Sequence, residues 1–555
     1  MSPTGQVSTA CASFADPNLQ EHLAHLYGRF ATLGFRVVWI EDDFRFHNHA
    51  PLDWGGGFEQ PVLDRFALKI GKPATREEVV EALLKPGKPH PWRAIWLSVW
   101  REVLLEVAEK ITAAVASVAR GRTRIGLMSS APASHSLEGR DWTALFEALT
   151  IEGQVAHRPF FAPYTEEIGT GKPTSSLLLD VQKAFRPPGS EVAGEIENCP
   201  FTNWTKSDTQ TWSEMALCQI HGCDALLLDL FPFSGNPASA EPEIGEMLDA
   251  VRPGLVWLAA HFPKGLETRG VGVPYKPDAA CFQRLPQDAT LRDFAKAGPF
   301  EAGRFFMQYG IPVAARPQTV NAIFGPLAWA FSDSEIEAFL RGGLFLDATA
   351  ADVLLERGFG REIGLSKIEW RGREEDAFSV EETFNPACGV APGFFLSANM
   401  GNAMAKLTPS RGAVVWTRIL RPDRTVFGPG WFVFENKLGG RIAVSASPDP
   451  NQLPASYQRQ TIAQSLLRFV SRDNFASPVA TGEPHQLVIH MGKGAQQRVV
   501  LINCSTDPSR PRFVWSKRKP SLEWTQLSPL CRPRAFSKAA KLPYLGLLVG
   551  TPKSN

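Results

Sequence analysis

Three consecutive carboxylates at the end of a short apolar run have the types and spacing to do chemistry. Residues 36–44 read R-V-V-W-I-E-D-D-F, so Glu41, Asp42 and Asp43 directly follow the apolar part. An apolar run of this length predicts a strand buried on both faces. Because side chains alternate along a strand, Glu41 and Asp43 share one face and Asp42 lies on the other. Crowded, poorly hydrated carboxylates favour one group that acts as an acid at neutral pH. An ion pair to Arg45 is the alternative interpretation of this strand end.

A second pair of carboxylates alternates along residues 192–207, V-A-G-E-I-E-N-C-P-F-T-N-W-T-K-S. Glu195 and Glu197 share one face of a predicted strand, and a polar loop containing Trp204 follows. Ion pairing of these glutamates to Lys206 is the structural alternative. If both strands belong to one repeating unit, each delivers a carboxylate at its C-terminal end. Glycoside hydrolysis requires such a pair, one group to protonate the leaving oxygen and the other to attack or to activate water.

The loop after the first strand has the composition of a binding loop. Residues 44–58 read F-R-F-H-N-H-A-P-L-D-W-G-G-G-F. His47 and His49 are weak metal candidates because no third ligand is nearby in the sequence. Hydrogen bonding to a ligand, with Trp54 as a stacking platform, is the preferred interpretation. We therefore expect no metal and no cofactor.

Alternating helices and strands must position these side chains. Helices are predicted at 18–32, 92–119 and 142–149, and strands at 36–40, 124–128, 157–161, 192–197 and 224–231. Tyr164 follows the third of these strands, and Asp229 lies near the end of the last. This repetition predicts an α/β fold with a parallel sheet, in which sites lie on the loops after the C-terminal strand ends.

Composition excludes several classes of protein. The 555 residues suggest about three domains. A formal charge of +1 without a basic run argues against nucleic acid as a partner. We expect no membrane partner, because no apolar stretch reaches roughly 20 residues and no signal peptide is recognisable. Eight dispersed cysteines without a C-x-x-C pair indicate reduced thiols and a cytoplasmic location.

The two carboxylate segments resemble those of family 42 glycoside hydrolases, the β-galactosidase-like members of the large (β/α)8 retaining clan. The run E-N-C-P-F-T-N-W at 197–204 resembles the segment around the nucleophile in that family. The run W-I-E-D-D-F at 39–44 resembles the strand-four segment in which those enzymes carry Asp-Asn-Glu-Tyr. The resemblance implies a TIM barrel and a retaining β-glycosidase.

Matched position by position, the resemblance places Glu197 on the nucleophile and Asp43 on the acid/base. Asp42 falls on the preceding asparagine, whose amide usually binds the sugar 2-hydroxyl. Asp43 reaches about one methylene less far than the family's glutamate, so Glu41 remains an alternative acid. The expected substrate-binding residues are Glu41, Asp42, His47, His49, Trp54, Tyr164, Glu195, Asn198, Trp204 and Asp229.

The rest of the chain is similar to the domains that follow the barrel in this family. We predict a TIM-barrel catalytic domain at 1–320, a flavodoxin-like, trimerisation-like domain at 321–445, and a helix plus a small β domain at 446–555. A homo-oligomer, trimer or dimer, is consistent with the second domain. Only 36 residues precede Val37, whereas three strand-helix units need on the order of 100. We therefore expect a barrel that lacks its first three strands, further repeats upstream of Met1, and a 555-residue product that is poorly soluble and inactive on aryl glycosides.

The sequence thus predicts a β-galactosidase-like retaining glycosidase that hydrolyses an oligosaccharide or glycoside by double displacement. The alternative is a non-catalytic carbohydrate-binding or assembly protein derived from such an enzyme. The sugar, the linkage and the oligomeric state cannot be read from the sequence.

Overall fold

The computed structural model describes residues 1–9, 11–42, 44–47, 49–52, 55–119, 121–296, 298–396, 400–517, 520–537 and 541–553. Two residues of the predicted site, Asp43 and Trp54, lie outside this described part. The helices are α1 (Pro17–Thr32), α2 (Gln60–Ile70), α3 (Arg76–Leu84), α4 (Pro91–Ala119), α5 (Pro132–Ser136), α6 (Trp142–Ala148), α7 (Lys172–Lys183), α8 (Asp208–Ile220), α9 (Pro242–His261), α10 (Phe300–Gln308), α11 (Asp333–Arg341), α12 (Ala348–Glu356), α13 (Gly360–Ile363) and α14 (Tyr457–Val470).

Strands β1 to β5 form one sheet, and the other strands belong to four further sheets. The strands are β1 (Val37–Ile40), β2 (Arg124–Met128), β3 (Ala156–Arg158), β4 (Glu191–Glu197), β5 (Ala225–Asp229), β6 (Thr268–Arg269), β7 (Val271–Gly272), β8 (Val313–Ala314), β9 (Val320–Ile323), β10 (Gly343–Leu346), β11 (Leu365–Gly372), β12 (Val380–Thr383), β13 (Ala403–Pro409), β14 (Val414–Leu420), β15 (Val426–Glu435), β16 (Arg441–Ser445), β17 (Val479–Ala480), β18 (Gln486–Met491), β19 (Arg498–Asn503), β20 (Phe513–Val514), β21 (Leu522–Leu527), β22 (Arg534–Ala535) and β23 (Leu547–Pro552).

A half-barrel parallel sheet is built from β1 to β5 in sequence order. Each of these strands pairs in parallel with its neighbour, from Val37 opposite Arg124 to Glu197 opposite Asp229. Helices lie between consecutive strands, as the alternation in the sequence predicted. The helix before β1 begins as expected, because the Asp16 side chain accepts a hydrogen bond from the Asn18 N–H and Pro17 opens the first turn.

The direction of the β4 side chains follows from its packing against α8. Gly194 lies so close to this helix that a Cβ atom there would be 2.5 Å from the Cys218 Sγ atom. Ile196, on the same face of β4, is fully buried. Since side chains alternate, Glu195 and Glu197 point away from α8, to the other face of the sheet. On the same face of the sheet, the Trp39 ring of β1 covers Gly126 of β2, where a Cβ atom would lie 2.3 Å from the ring.

A larger mixed sheet has the order β12-β14-β15-β16-β10-β9-β7-β8. Its central strand β10 pairs in parallel with both β9 and β16, and helices α11 and α12 flank it in the sequence. A capping box opens α11, with Ser332 and Glu335 each bonded to the other's backbone N–H. The antiparallel strands β12, β14 and β15 extend this parallel part. Because β7 and β8 belong to the same sheet, the predicted domain boundary at residue 320 falls within it.

The C-terminal sheet has the order β22-β21-β23-β19-β18-β6 and is antiparallel. Strands β18 and β19 are buried along most of their length. Strand β6 lies far upstream and joins this sheet through Arg269 opposite His490. No helix in the described ranges is both long and apolar enough to cross a bilayer.

Candidate active site

Carboxylates from three strands meet at the C-terminal edge of the half-barrel. Glu197 ends β4 and lies opposite Asp229, which ends β5. Burial raises the pKa of Glu197, and the negative charges of Asp229 and Asp42 raise it further, against the opposing charges of Arg158 and Lys206. Asp42, which follows β1, is therefore within electrostatic reach of Glu197. The structure thus brings together three of the residues that the sequence singled out.

Glu197 and Asp229 are less engaged than Asp42. The side chain of Glu197 is half-buried, and among the described residues it has no hydrogen-bond or ion-pair partner. Asp229 is also half-buried, and burial raises the pKa of its carboxyl group. The oxygen atoms of Glu197 are therefore available to a ligand, in a setting where burial and neighbouring negative charge make the group more basic than an ordinary glutamate.

Asp42 is not the carboxylate of this cluster whose pKa is raised. Ser130 Oγ donates a hydrogen bond to its Oδ2 atom at 2.7 Å, and Arg45 Nη1 lies 2.9 Å from the same atom. Burial opposes ionisation of Asp42, but hydrogen bonding to Glu41 and Ser130 and the charges of Arg45 and Arg158 hold its pKa well below the ordinary value. The ion pair to Arg45, the alternative interpretation of this strand end, is present, and Asp42 is held as an anion.

Arg158, at the end of β3, connects the strand ends and was missed by the sequence analysis. Its buried guanidinium forms an ion pair with Glu195 and lies 3.9 Å from Asp42 and 4.0 Å from Glu41. The signal was a charged residue inside the apolar strand predicted at 157–161, a position that needs a buried partner. The side chain of Glu41 remains largely exposed.

Unlike Glu197, Glu195 is held by hydrogen bonds and an ion pair within the described structure. Its buried carboxylate accepts hydrogen bonds from the Phe161 N–H at 3.1 Å and the Tyr164 O–H at 3.2 Å, besides the ion pair with Arg158. Burial and the nearby Glu197 charge raise the pKa of Tyr164. The Tyr164 hydroxyl therefore stays protonated and holds Glu195 in place beside Glu197.

The alternative pairing of the β4 glutamates with Lys206 does not occur. Lys206 Nζ instead donates to Glu214 Oε2 at 2.7 Å, and Lys172 Nζ donates to Glu214 Oε1 at 3.0 Å. All three charged groups are buried. This separate ion-pair network links α7 and α8 to the loop that follows β4, and among the described residues Glu197 forms no ion pair.

His47 belongs to a buried cluster that supports the loop after β1. Its Nδ1 atom lies 3.3 Å from Glu138 Oε2, and His135 Nδ1 lies 2.8 Å from Glu138 Oε1. The geometry of these three residues would suit a metal ion, since their ligand atoms lie within 4.8 Å of one another. However, Arg140 Nη2 lies 2.7 Å from Glu138 Oε1 and Arg140 Nη1 lies 3.3 Å from His135 Nε2. A guanidinium therefore already supplies the positive charge that the carboxylate needs.

Burial sets the protonation of this cluster. It lowers the pKa of His135 to about 3, assisted by the charge of Arg140, and it lowers the pKa of His47 as well. Both imidazoles are therefore neutral, while Arg140 and two histidine hydrogen bonds keep the pKa of Glu138 well below its usual value despite burial. His49, by contrast, is half-buried, with Nε2 2.8 Å from the Arg45 carbonyl oxygen.

The remaining predicted residues follow β4. Asn198 is buried, and its Oδ1 atom has no hydrogen-bond partner in the described part of the chain. It lines a small cleft of about 160 Å³ together with Trp204 and Lys206. Trp204 is 93% exposed, so its ring is open to a ligand. Nearby, the Phe201 and Phe233 rings stack 3.9 Å apart on the loops after β4 and β5.

Known proteins resemble this chain in fold but not in overall sequence. Neither the protein-family models nor the curated proteins contain a match to this sequence. Among solved structures, a β-galactosidase from Bacillus circulans sp. alkalophilus matches 97% of this chain and 83% of its own, with a TM-score of 0.59 and 11% identity. A GH42 β-galactosidase from G. stearothermophilus matches 97% of this chain and 82% of its own, with a TM-score of 0.59 and 10% identity.

A third solved structure is that of an enzyme named for a different sugar. Alpha-L-fucosidase isoenzyme 2 from Paenibacillus thiaminolyticus matches 99% of this chain and 83% of its own, with a TM-score of 0.62 and 11% identity. At these identities the likeness concerns the fold and leaves the sugar open. The chain shares the fold of GH42 β-galactosidases, as the resemblance of its two carboxylate segments predicted.

Proposed function

We propose that this protein is a retaining β-glycosidase of the β-galactosidase-like type, with Glu197 as the nucleophile and Asp43 as the acid/base. The observation that carries the proposal is the position of Glu197. It ends β4 at the C-terminal edge of the half-barrel, is free of protein partners in the described structure, and lies within reach of the charge on Asp42. Asp43 follows Asp42 directly in the chain.

In the proposed reaction, a Glu197 oxygen attacks the anomeric carbon while Asp43 donates its proton to the departing glycosidic oxygen. The bond between the anomeric carbon and that oxygen breaks, and an alcohol leaves. Asp43 then takes a proton from water, whose oxygen attacks the same carbon and displaces Glu197. Two displacements retain the anomeric configuration. This mechanism requires the carboxyl groups of Glu197 and Asp43 to lie about 5 to 5.5 Å apart.

The neighbouring residues have roles suited to binding. Asp42 is held as an anion by Ser130 and Arg45, so it can accept a hydrogen bond from a sugar hydroxyl. The unpartnered amide oxygen of Asn198 can accept another. The exposed Trp204 ring offers a flat apolar face to the C–H surface of a sugar. These roles, and those of Glu41, His49 and Asp229, are part of the proposal.

Mechanism-based labelling tests the assignment directly. A 2-deoxy-2-fluoro-galactosyl donor should form a stable ester with the nucleophile, and digestion should place the added mass on Glu197. The α-L-fucose counterpart should be run in parallel, because one of the structures with this fold is a fucosidase. Label on another carboxylate would overturn the role of Glu197. Binding of galactosides without labelling or turnover would identify the alternative, a non-catalytic carbohydrate-binding protein.

Kinetics separate the two carboxylates. Glu197→Gln removes the nucleophile and preserves shape, so activity on every glycoside should fall by about three orders of magnitude or more. Asp43→Ala should impair substrates with poor leaving groups far more than activated aryl glycosides, which need little protonation. Glu337→Gln on the exposed face of α11 is a matched control and should change neither. Equal losses on both substrate types for Asp43→Ala would move the acid to Glu41.

A further inference from the structure

A second cavity lies at the opposite edge of the half-barrel from Glu197. Its volume is about 400 Å³, and it lies where β4 begins and where α7 and α8 end. The lining includes Lys183, Arg186, His221 and Arg316. None of these residues takes part in the proposed glycosidase chemistry. The chemistry of this lining determines which kind of ligand the cavity would bind.

Arg186 is a cation with no acidic partner in the described ranges. Within the described ranges its guanidinium contacts only the His157 ring, at 3.5 Å, and the carbonyl oxygen of Gln182, at 3.4 Å. Both are weak contacts for a charged group. Two other cations of the lining are paired, Lys264 with Asp224 and Arg316 with Glu267, each at 2.5 Å. The positive charge of Arg186 is therefore not balanced by a direct ion pair.

Lys183 adds a second positive charge to the same wall. Its ammonium group contacts the carbonyl oxygen of Leu266 and forms no ion pair in the described structure. Burial lowers the pKa of both Lys183 and Arg186, which means that their charged forms are less well solvated than in water. A bound anion would restore that lost stabilisation.

The acidic groups that face the cavity are already engaged. Asp180 Oδ2 accepts hydrogen bonds from Thr268 Oγ1 at 2.6 Å and from the Ala315 N–H at 2.8 Å. Burial raises the pKa of Asp180, and these two donors occupy its Oδ2 atom. Glu267 is the partner of Arg316. The lining therefore has more cations than unengaged carboxylates.

His221 supplies an independent observation. It is only 4% exposed, and its Nε2 atom pairs with Ser176 Oγ at 2.9 Å. Its Nδ1 atom is buried without a hydrogen-bond partner in the described residues. An unpartnered buried ring nitrogen is costly unless a ligand or water completes it. It lies on the same cavity wall as Arg186.

We propose that this cavity binds the phosphate group of a small molecule through Arg186 and Lys183. A planar guanidinium with free N–H groups matches phosphate oxygens, and an ammonium beside it adds charge. A neighbouring cleft of about 520 Å³ shares Gly265, Glu267 and Arg316 with the cavity, so a phosphorylated sugar has room to extend beyond the phosphate. The proposal stands apart from the glycosidase assignment, since it involves the other edge of the sheet.

Calorimetric titration of the full chain tests this site. Inorganic phosphate, a hexose 6-phosphate and the same hexose without phosphate should be titrated at constant ionic strength set with chloride. Phosphate and the hexose phosphate should bind with Kd of about 1 mM or tighter, and the free hexose should give no signal that depends on this cavity. A stronger signal for the hexose phosphate than for phosphate would identify the sugar phosphate as the ligand class. No phosphate-specific binding up to about 10 mM would overturn the proposal.

Variants locate the binding. Arg186→Gln should weaken phosphate binding by about tenfold or more, and Lys183→Gln by about threefold, because each removes a charged hydrogen-bond donor. Arg65→Gln removes one positive charge from a pair with Glu106 far from the cavity and should leave binding unchanged. If Arg186→Gln fails to fold, Lys183→Gln and the wild-type titrations still decide the outcome. Unchanged binding in both cavity variants refutes the assignment. This test does not depend on glycosidase activity.

Discussion

Arg158 offers the sharpest test of how the half-barrel is held together. It is buried at the end of β3 and forms an ion pair with Glu195, which is itself 5% exposed. Replacing Arg158 by Met keeps much of the side-chain volume but leaves the Glu195 carboxylate buried with only its hydrogen bonds from Phe161 and Tyr164. Breaking a buried ion pair in this way costs about 3 to 5 kcal/mol.

The loss of Arg158 also removes a cation from the β1 carboxylates. Its guanidinium lies 3.9 Å from Asp42 and 4.0 Å from Glu41, but Glu41 is largely exposed, so this part contributes about 1 kcal/mol at most. For a folding unit of about 150 to 250 residues, a total of about 3 to 6 kcal/mol corresponds to a fall in Tm of roughly 6 to 24 °C. Adding Glu195→Gln should recover most of the loss, because the neutral amide no longer needs a cation.

Differential scanning calorimetry of wild type, both single variants and the double variant measures this coupling. Hydrogen exchange of peptides covering residues 156–197 assigns the transition to the half-barrel. The reasoning is refuted if Arg158→Met lowers Tm by less than about 2 °C, or if the double variant is less stable than Arg158→Met alone.

Three further predictions address charge and solvation. Asp229→Asn removes a negative charge one strand away from Glu197, roughly 5 Å, so the pKa of Glu197 should fall and the acid limb of kcat/KM should move about 0.5 to 1 pH unit lower; an unmoved limb contradicts the coupling. Because burial lowers the pKa of His135 to about 3 from 6.5, the unfolded chain binds more protons between those values, and stability should fall as pH drops below 6.5. His135→Gln should flatten that dependence by about 1 kcal/mol per pH unit, as urea unfolding between pH 7 and 5 can measure. Asn198→Ala should leave Tm nearly unchanged, since the amide oxygen has no partner among the described residues, while raising KM about tenfold; a large fall in Tm would show a structural role instead.

Local sequence features predicted the secondary structure around the site well. The apolar run before Glu41 forms β1, and the run at 124–128 forms β2 with the same bounds. The alternation of Glu195 and Glu197 gives both a place on the same face of β4. These features depend on periodicity and capping within a few residues, which the chain carries locally.

Partners across the sheet could not be predicted in the same way. Lys206 lies close in sequence to the β4 glutamates but pairs with Glu214, whereas Glu195 pairs with Arg158, 37 positions away. Likewise, His47 meets His135 and Glu138 only because β1 and β2 are adjacent in the sheet. Residues that are close in the sequence need not be in contact, because a helix between two strands carries the chain away before it returns to the sheet.

The sequence by itself determined the strand that Glu41 and Asp42 follow, the strand that ends in Glu197, and their parallel arrangement in one sheet. Periodicity and the alternation of strands with helices are enough for that. Only the tertiary structure decided which carboxylates are neutralised: Asp42 by Arg45, Glu195 by Arg158, and Glu197 by no described partner. Charge compensation depends on distances between residues far apart in the chain, and those distances exist only after the strands have paired and the helices have packed against them.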